Sequence, residues 1–459
     1  MPVSATSHRT HVSTKKAEAS EPKKVKQEKA QQEKGSPKAS TPAKSGDVLE
    51  PATKSRADEV RKALLADNRD LIVTNPTGAR SKFQKLTTSP FVFFRGTAGL
   101  FYRDLKGVDA GQPKVLCNGD VHPENFGAIQ GQDGKLFFGL NDFDESMAAP
   151  FGWDLRRGAT AFELAARDSG IPAAKRQKIT EAFLEGYQDA MKGFAGADGE
   201  KDARIDSRNA PKVVGKLLEK AEKQARKEFL GERVDLKKGK FLDTADIKPL
   251  PARVDEFAAA LKSYRSEMGL SKDFLKVKDV AAKLESGTAS LGSERYYVLV
   301  EGKSKSAEDD VILEIKQERP SALEPYTGTT DKRPAAERVA ANEEIQSPGG
   351  DPYYGAIKLG GQSFLVRERN PHKAAVDLTK LDAGDYKDYA RACGVALAQA
   401  HARSDKKDGF ASDKDLVRAL DRGLSKEVAR FASEEADRVT SDYQAFKTGF
   451  EKGQFGFGR

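Results

Sequence analysis

The amino-acid sequence predicts a two-lobed α+β protein preceded by a disordered N-terminal tail. Strand-like and helix-like segments occur in separate groups along the chain rather than in regular alternation, which is typical of the α+β class. A chain of 459 residues is long enough for two or three lobes with a sizeable core. Hydrophobic residues make up 38% of the chain and charged residues 32%, which favours a globular protein with some solvated sequence.

The tail, residues 1–55, differs in composition from the rest of the chain and has no aromatic residue. Residues 1–50 hold ten lysine or arginine and six aspartate or glutamate residues, about half of the net charge of +8. Such a segment buries too little apolar surface to offset its ordering entropy, so we predict that it is disordered. Its charge favours at most weak contact with nucleic acid, and a purely solubilising role stays open.

Three segments follow the tail. Residues 56–275 are predicted to be a mainly helical lobe, with 199–270 charged and mostly helical, a strand at 114–117 and a hairpin at 126–130 and 135–140. Residues 276–375 are predicted to be a β-rich lobe with strands at 280–284, 295–300 and 310–316, a helix at 334–346, and a hairpin at 356–359 and 363–367. Residues 376–459 return to helices, the first at 385–403, and complete the helical lobe.

Cysteine content and hydropathy indicate the cellular compartment in which the protein is expected. Only Cys117 and Cys393 are present, which argues against a disulfide framework and indicates a reducing environment. No apolar run approaches the ~20 residues that cross a bilayer. We therefore expect a cytoplasmic protein with no membrane partner.

The most informative motif is the stretch at residues 117–125, with the sequence CNGDVHPEN. Phosphoryl transfer to a hydroxyl needs a carboxylate that orients the hydroxyl and accepts its proton, and oxygen ligands that hold Mg²⁺ against the phosphates. The sequence supplies Asp120, then Asn125 five positions later, then Asp142 after the predicted hairpin. We predict Asp120 as the catalytic base and Asn125 and Asp142 as metal ligands, with Asp144 as a further ligand.

Alternative interpretations of this loop stay open at the level of sequence. Asp120 and Asn125 could belong to a polar β-turn in which their side chains only cap backbone groups. The ordered succession of linked motifs favours the catalytic interpretation. His122, which lies between the two residues, is either catalytic or a hydrogen-bonded histidine that braces the loop.

Candidates for nucleotide binding occur only downstream of this loop. Residues 286–293 form a small-residue loop between two predicted strands, and Gly287, Ser290 and Gly292 would let backbone N–H groups approach a phosphate closely. An ordinary hairpin turn explains this loop equally well. Lys316 ends the next predicted strand, like the lysine in the Val-Ala-Ile-Lys strand of kinases, which reaches the phosphates of ATP. A surface lysine at the end of a strand is the alternative, and the match to the kinase pattern favours the functional interpretation.

Kinases pair that lysine with a glutamate on the following helix. The helix predicted at 334–346 contains Glu337, Glu343 and Glu344, of which we select Glu337. In this assignment the catalytic loop precedes the nucleotide-binding lobe, which is a circular permutation of the usual kinase order. Permutation is tolerated when the original termini lie close together at the surface.

The loop resembles that of the aminoglycoside and choline kinases, which reads His-Gly-Asp-x-His-x-x-Asn. Residues 118–125 match it at every position but the first, where Asn118 replaces histidine. Residues 141–144 and 153–155 resemble the strand end and the helix start that follow in those enzymes, and 396–401 resembles the helix end that runs into their catalytic loop. The resemblance implies a circularly permuted, protein-kinase-like (aminoglycoside phosphotransferase-like) fold that uses ATP and Mg²⁺.

Five motifs together resemble the bacterial family named domain of unknown function 2252. Its members carry Ser-Pro-Phe-x-Phe-Phe/Tyr-Arg-Gly, Gly-Asp-x-His-x-Glu-Asn-Phe-Gly, Asn-Asp-Phe-Asp-Glu, Trp-Asp-Leu-x-Arg and Ala-His-Ala-Arg-Ser, which occur here at 89–96, 119–127, 141–145, 153–157 and 400–404. The resemblance covers roughly residues 57–410. It adds Arg95 and Arg403 as possible site residues, although either could equally be a structural salt-bridge partner.

These features predict an ATP- and Mg²⁺-dependent phosphotransferase that acts on a hydroxyl, with a small molecule as the favoured but unidentified acceptor. One alternative is nucleotidyl transfer to a protein hydroxyl on the same scaffold. Another is a non-catalytic nucleotide-binding or interaction module. The joint presence of Asp120, Asn125, Asp142 and Lys316 argues against the non-catalytic alternative.

Overall fold

A mixed α+β architecture, as predicted, is present in the computed structural model, which describes residues 53–197, 199–269, 275–406 and 409–457. These residues belong to one compact unit that spans 49–459. The predicted tail lies outside the described residues except at its end. There Thr53 caps the first helix, α1 (Lys54–Asp67), by accepting a hydrogen bond from the Arg56 N–H.

Short helices precede the first strands. They are α2 (Arg69–Thr74), α3 (Pro76–Leu86), α4 (Pro90–Gly96) and α5 (Ala98–Asp104). The aromatic run at 91–94 lies on α4, which Ser89 caps and Pro90 begins. The next elements are β1 (Lys114–Cys117), β2 (Phe126–Gln130), β3 (Leu136–Leu140), β4 (Met147–Pro150), α6 (Gly152–Asp168) and α7 (Ala173–Gly196).

The segment at 199–270 is less helical than predicted. It contains α8 (Lys212–Glu222), α9 (Arg226–Gly231), β5 (Val234–Asp235), β6 (Lys240–Phe241), β7 (Ile247–Pro249) and α10 (Val254–Glu267). Strands of two or three residues are too short to show the alternation by which a strand is recognised in sequence. β5 and β6 form here because Val234 and Phe241 bury their side chains against the face of a larger sheet. β7 forms because it pairs with residues 281–283 as the edge strand of that sheet.

The β-rich segment and the C-terminal helices follow the prediction closely. Their elements are β8 (Val277–Lys283), β9 (Arg295–Val300), β10 (Val311–Gln317), α11 (Glu324–Thr327), α12 (Ala335–Gln346), β11 (Gly355–Leu359), β12 (Gln362–Glu368), β13 (Ala374–Ala375), α13 (Ala383–Ala402), α14 (Asp413–Ala419) and α15 (Ser425–Glu451). Three smaller sheets pair β1 with β4, β13 and β3 with β2, and β5 with β6.

The largest sheet is antiparallel, with the strand order β11-β12-β10-β9-β8-β7. One of its faces packs against α10, and α9 with the β5–β6 hairpin covers part of the other. Glu314 on β10 stands opposite Tyr297 on β9 and Arg367 on β12. Directly opposite residues project from the same face, so this partly covered face carries charged groups.

The main apolar core lies among the helices, where α13 packs against α7. Gly394 allows this close approach, because a Cβ at that position would lie 2.0 Å from the carbonyl oxygen of Phe183. The packing fixes the C-terminal end of α13 near β1. Among the described residues no helix combines the length and apolarity needed to cross a membrane.

Candidate active site

The carboxylate of Asp154 on α6 fixes the loop between β1 and β2. It accepts hydrogen bonds from the backbone N–H groups of Asn118 (2.6 Å) and Gly119 (3.0 Å), and its side chain is fully buried. Gly119 has a φ of +82°, and a Cβ there would lie 2.5 Å from the carbonyl oxygen of Glu145. Glycine is therefore required at this turn, which presents Asp120 immediately afterwards.

The C-terminal end of α13 meets the same carboxylate. His401 Nε2 lies 3.0 Å from Asp154 Oδ2, and His401 Nδ1 lies 2.8 Å from the hydroxyl of Tyr187, with all three side chains buried. Ser404, just beyond the helix, accepts a hydrogen bond from the Leu116 N–H (3.3 Å) across 288 positions of the chain. The end of α13 therefore contacts the segment that leads into the loop.

Asn118, the residue that replaces histidine, links the loop to the predicted metal-binding segment. Its Nδ2 donates to the carbonyl oxygen of Asp142 (2.7 Å), and its Oδ1 accepts from the Asp120 N–H (3.3 Å). At the other end of the loop, the Asn141 N–H donates to the carbonyl oxygen of Asn125 (3.1 Å). Hydrogen bonds at both ends thus hold the two predicted motifs together.

A buried arginine, Arg157 on α6, holds Asp120. It donates from Nε (3.0 Å) and Nη2 (2.6 Å) to Oδ1 of Asp120. His122 Nε2 lies 3.6 Å from the other carboxylate oxygen, Oδ2. Burial by itself would raise the pKa of Asp120, but the Arg157 guanidinium and His122 outweigh it and lower the pKa to about 2. Asp120 is therefore ionised at neutral pH, and Oδ2 is the oxygen that is not bonded to Arg157.

His122 has contacts that brace the loop. Its Nδ1 accepts a hydrogen bond from the Glu124 N–H (3.2 Å), and its Nε2 lies 3.6 Å from Oδ2 of Asp120. Burial and the nearby Arg95 guanidinium lower the pKa of His122, so the neutral form dominates at pH 7. Arg95 lies 3.3 Å from Nε2 and also pairs with the Glu124 carboxylate. A catalytic role for His122 stays a prediction.

Three oxygen-bearing side chains line the cleft near the end of β3. Asn125 donates from Nδ2 to a carbonyl within its own loop (2.9 Å), which leaves its amide oxygen as the remaining acceptor. Burial opposes ionisation of Asp142, but Lys316 outweighs it and holds the pKa of Asp142 well below its usual range. Burial and the charge of Asp142 raise the pKa of Asp144. Oδ1 of Asp144 is buried and has no hydrogen-bond partner among the described residues.

Lys316, at the end of β10, is held by carboxylates other than the predicted one. Its Nζ pairs with Asp144 and with Glu318 (3.2 Å), and its side chain is buried. Burial and the charge of Asp144 raise the pKa of Glu318 to about 8. The structure does not bring Glu337 to this lysine. Glu337 lies in the first turn of α12 and is exposed, whereas Ala336, the residue before it, faces the core.

The small-residue loop faces the cleft with residues 286–290. Gly287 has a φ of +86°, and its carbonyl oxygen accepts a hydrogen bond from Lys85 Nζ (2.6 Å). Ser290 Oγ accepts from Arg295 Nη2 (3.0 Å). Gly292 lies outside the cleft lining and packs on α3, where its carbonyl oxygen accepts from the Nδ2 of Asn75 (3.0 Å).

A charged cluster covers the sheet face above the cleft. Glu314 accepts hydrogen bonds from Arg295 Nη1 (2.8 Å) and Arg367 Nε (2.6 Å). Burial would raise the pKa of Glu314, but the two guanidinium groups hold it well below its usual range. Nη1 of Arg367 is buried, and no hydrogen-bond partner for it occurs in the described part of the chain. This face of the sheet therefore offers a ligand charged and hydrogen-bonding groups rather than an apolar surface.

These groups surround one cleft of about 520 Å³, within the size range of small-molecule sites. The predicted residues that line it are Arg95, Asp120, His122, Asn125, Asp142, Asp144, Gly287 and Ser290. Gly292, Lys316, Glu337 and Arg403 are not part of its lining. Arg403 donates instead to the main-chain carbonyls of Glu200 (3.0 Å), Gln346 (2.8 Å) and Ala203 (2.7 Å), which is a structural role.

Sequence reasoning missed several charged residues of the site. Arg157 could have been found, because it follows Asp154 by three positions on a helix and so projects to the same side. Glu314 and Arg367 gave a weaker signal, as charges inside otherwise apolar strands. Lys373, which also lines the cleft, lies in an irregular segment and gave none.

The fold and the site define a mixed α+β protein with a charged cleft between an antiparallel sheet and a loop fixed by Asp154. A family model described as "uncharacterized protein conserved in bacteria (DUF2252)" matches residues 75–449. The chain belongs to this family. No curated protein and no solved structure matches the chain.

Proposed function

We propose that this protein is an ATP- and Mg²⁺-dependent phosphotransferase that acts on a hydroxyl group of a small molecule. The observation behind the proposal is that Asp120, Asn125 and Asp142 line one cleft and are tied together by hydrogen bonds through Asn118 and Asn125. Kinases use an aspartate, an asparagine and a metal-binding aspartate in this chain order. A turn that only capped its own backbone would not require bonding to a second acidic segment.

Asp120 would orient the acceptor hydroxyl through Oδ2, the oxygen that Arg157 leaves unbonded. A pKa of about 2 makes this carboxylate a weak base in the free protein. Phosphoryl transfer passes through a loose transition state in most analyses, so that positioning contributes more than proton abstraction. Asp120 would accept the hydroxyl proton as the transfer is completed.

The donor set beside Asp120 fits Mg²⁺. Asp142 and Asp144 supply carboxylate oxygens and Asn125 an amide oxygen, and Mg²⁺ prefers such hard ligands. The buried Oδ1 of Asp144, which lacks a partner in the described ranges, is an atom that a cation would satisfy. Bound Mg²⁺ would neutralise charge that develops on the transferred phosphoryl group. Lys316 holds the other oxygen of Asp144 and so fixes the orientation of this carboxylate.

The order of elements supports a circularly permuted kinase arrangement. Residues 286–293, β10 with Lys316, and α12 succeed one another as the Gly-rich loop, lysine strand and following helix do in kinases. The catalytic loop comes first in this chain, and the end of α13 contacts it through His401 and Ser404. In an unpermuted chain a helix at that position would continue directly into the loop.

Incubation of the purified protein with γ-labelled ATP, Mg²⁺ and a metabolite extract tests the proposal. We expect label on a small molecule, and we expect Asp120→Asn to abolish transfer while nucleotide binding persists. Asp255→Asn, an identical change at an exposed position of α10, is the matched control and should keep full activity. Transfer from α-labelled ATP alone would indicate nucleotidylation, and transfer from neither label would overturn both enzymatic functions.

A further inference from the structure

The irregular segment after β12 brings cations into the cleft that lack carboxylate partners. The cleft is lined by the lysine and arginine side chains of Arg95, Arg233, Lys283, Arg295, Arg367, Arg369 and Lys373. The first five of these form ion pairs with acidic residues of the protein. Arg369 and Lys373 form none within the ranges that the structure describes.

Lys373 has donor capacity that the protein itself does not use. An ammonium group has three donors, and the described hydrogen bond of Lys373 Nζ is a long one, 3.4 Å, to the Asn141 carbonyl oxygen. Burial and the neighbouring Arg367 guanidinium lower the pKa of Lys373 to about 7.

Arg367, on the preceding strand β12, supplies a second unused donor. Its Nε and Nη2 bind Glu314, but Nη1 is buried without a hydrogen-bond partner in the described residues. Arg367, Lys373 and the candidate metal ligand Asp142 line the same cleft. Lys316 is less available, because Asp144 and Glu318 already hold its ammonium group outside the cleft lining.

We infer that Lys373, together with Arg367 and Arg369, forms an anion subsite that binds the phosphate chain of the nucleotide. The identity of the anion as a polyphosphate rests on the proposed function. An anion here would accept hydrogen bonds from the free donors of Lys373 and Arg367. Since a hydrogen bond to a charged group stabilises by about 1.5–3 kcal/mol, its loss corresponds to at least about a tenfold loss of affinity.

Calorimetric titration of the full-length protein with inorganic tripolyphosphate tests the subsite. We expect Lys373→Gln to raise the Kd for tripolyphosphate about tenfold or more, and Lys373→Arg to stay within about threefold of the wild type. Lys358→Gln, the same charge change at an exposed position of β11, is the matched control and should bind as the wild type does. Unchanged thermal unfolding of the three variants without ligand would establish that they fold.

Two results would overturn the inference: a Lys373→Gln variant with wild-type affinity, or a wild-type protein that does not bind tripolyphosphate. Failure of the proposed function gives a different pattern. Transfer of γ-label with unchanged tripolyphosphate affinity in Lys373→Gln would leave the function standing and remove the subsite. Loss of tripolyphosphate binding in Lys373→Gln, without label transfer in the wild type, would support the subsite and overturn the function.

Discussion

Replacement of Arg157 by methionine removes the counter-ion of Asp120 and leaves the carboxylate in place. Arg157 is fully buried and donates to Asp120 Oδ1 at 3.0 and 2.6 Å. The pKa of Asp120 is about 2 against an ordinary value of 3.8, and at 1.36 kcal/mol for each pH unit this difference corresponds to about 2 kcal/mol. Removal of one partner of a buried ion pair typically costs ~3–5 kcal/mol. We therefore expect Arg157→Met to lower the free energy of unfolding by about 3 kcal/mol.

Urea denaturation of four proteins isolates the interaction: the wild type, Arg157→Met, Asp120→Asn and the double variant. We expect a coupling free energy of about 2 kcal/mol, because the double variant no longer has a buried carboxylate without a counter-ion. Additive effects, within about 0.5 kcal/mol, would refute the reasoning.

The same pair predicts a pH dependence of stability. The pKa of Asp120 is lower in the folded protein than its ordinary value, so its contribution is present above pH 3.8 and is lost as the pH falls towards 2. The stability difference between the wild type and Arg157→Met should therefore shrink by about 2 kcal/mol across this range. A difference that does not change with pH would contradict the ion pair.

Three further predictions concern other parts of the site. Gly119→Ala should lower the free energy of unfolding and abolish activity, because the new Cβ would lie 2.5 Å from the carbonyl oxygen of Glu145. Gly134→Ala, at a similar φ of +76° but with open space around the new Cβ, should lower the free energy of unfolding by only about 1–2 kcal/mol and keep activity. Equal losses of stability in the two variants would contradict this prediction. Mg-ATP at ~100 times its Kd should stabilise the wild type by about 2.7 kcal/mol in a thermal shift assay. Asp142→Asn should lose the part of this stabilisation that depends on Mg²⁺. The full stabilisation in the variant would show that Asp142 is not a metal ligand. Glu337→Gln should change the free energy of unfolding by less than about 0.5 kcal/mol. Lys316→Met should lower it by about 3 kcal/mol, because the carboxylates of Asp144 and Glu318 would lose their buried counter-ion. Similar losses in both variants would support an ion pair between Lys316 and Glu337.

Local patterns in the sequence were sufficient for most of the elements. The β2–β3 hairpin and the strands from β8 to β12 have apolar residues and turn signals in adequate length, and their predicted bounds agree with the structure to within a few residues. The two-residue strands β5 and β6 were missed because their formation depends on burial against the sheet, and β7 was missed because it forms by pairing with β8 at the edge of that sheet. These contacts link positions distant in sequence and leave no periodic signal.

The candidate site was predictable where residues act within one short stretch. Asp120 and Asn125 are tied together by the geometry of a single loop, so their spacing alone brought them together. The partner of Lys316 was not predictable, because it depends on how α12 is rotated against the sheet. The side of α12 that faces the core includes Ala336 and Val339, and this rotation leaves Glu337 exposed.

The role of Asn118 illustrates a departure from a motif that only tertiary contacts explain. Its side chain makes one hydrogen bond to the Asp142 carbonyl oxygen and one to the Asp120 N–H, and so links the β1–β2 loop to the segment that contains Asp142. The histidine at Asp154 comes instead from a distant position, His401, at the end of α13. The sequence contains both residues, but no local pattern relates them.

The most direct test of the central claim is a crystal structure of the protein with Mg²⁺ and a non-hydrolysable ATP analogue. We expect a metal ion at ~2.0–2.1 Å from a carboxylate oxygen of Asp142, with the phosphates in the cleft beside Asp120. Saturating nucleotide that is absent from the cleft, or that binds with its phosphates away from Asp120 and Asp142, would contradict the account.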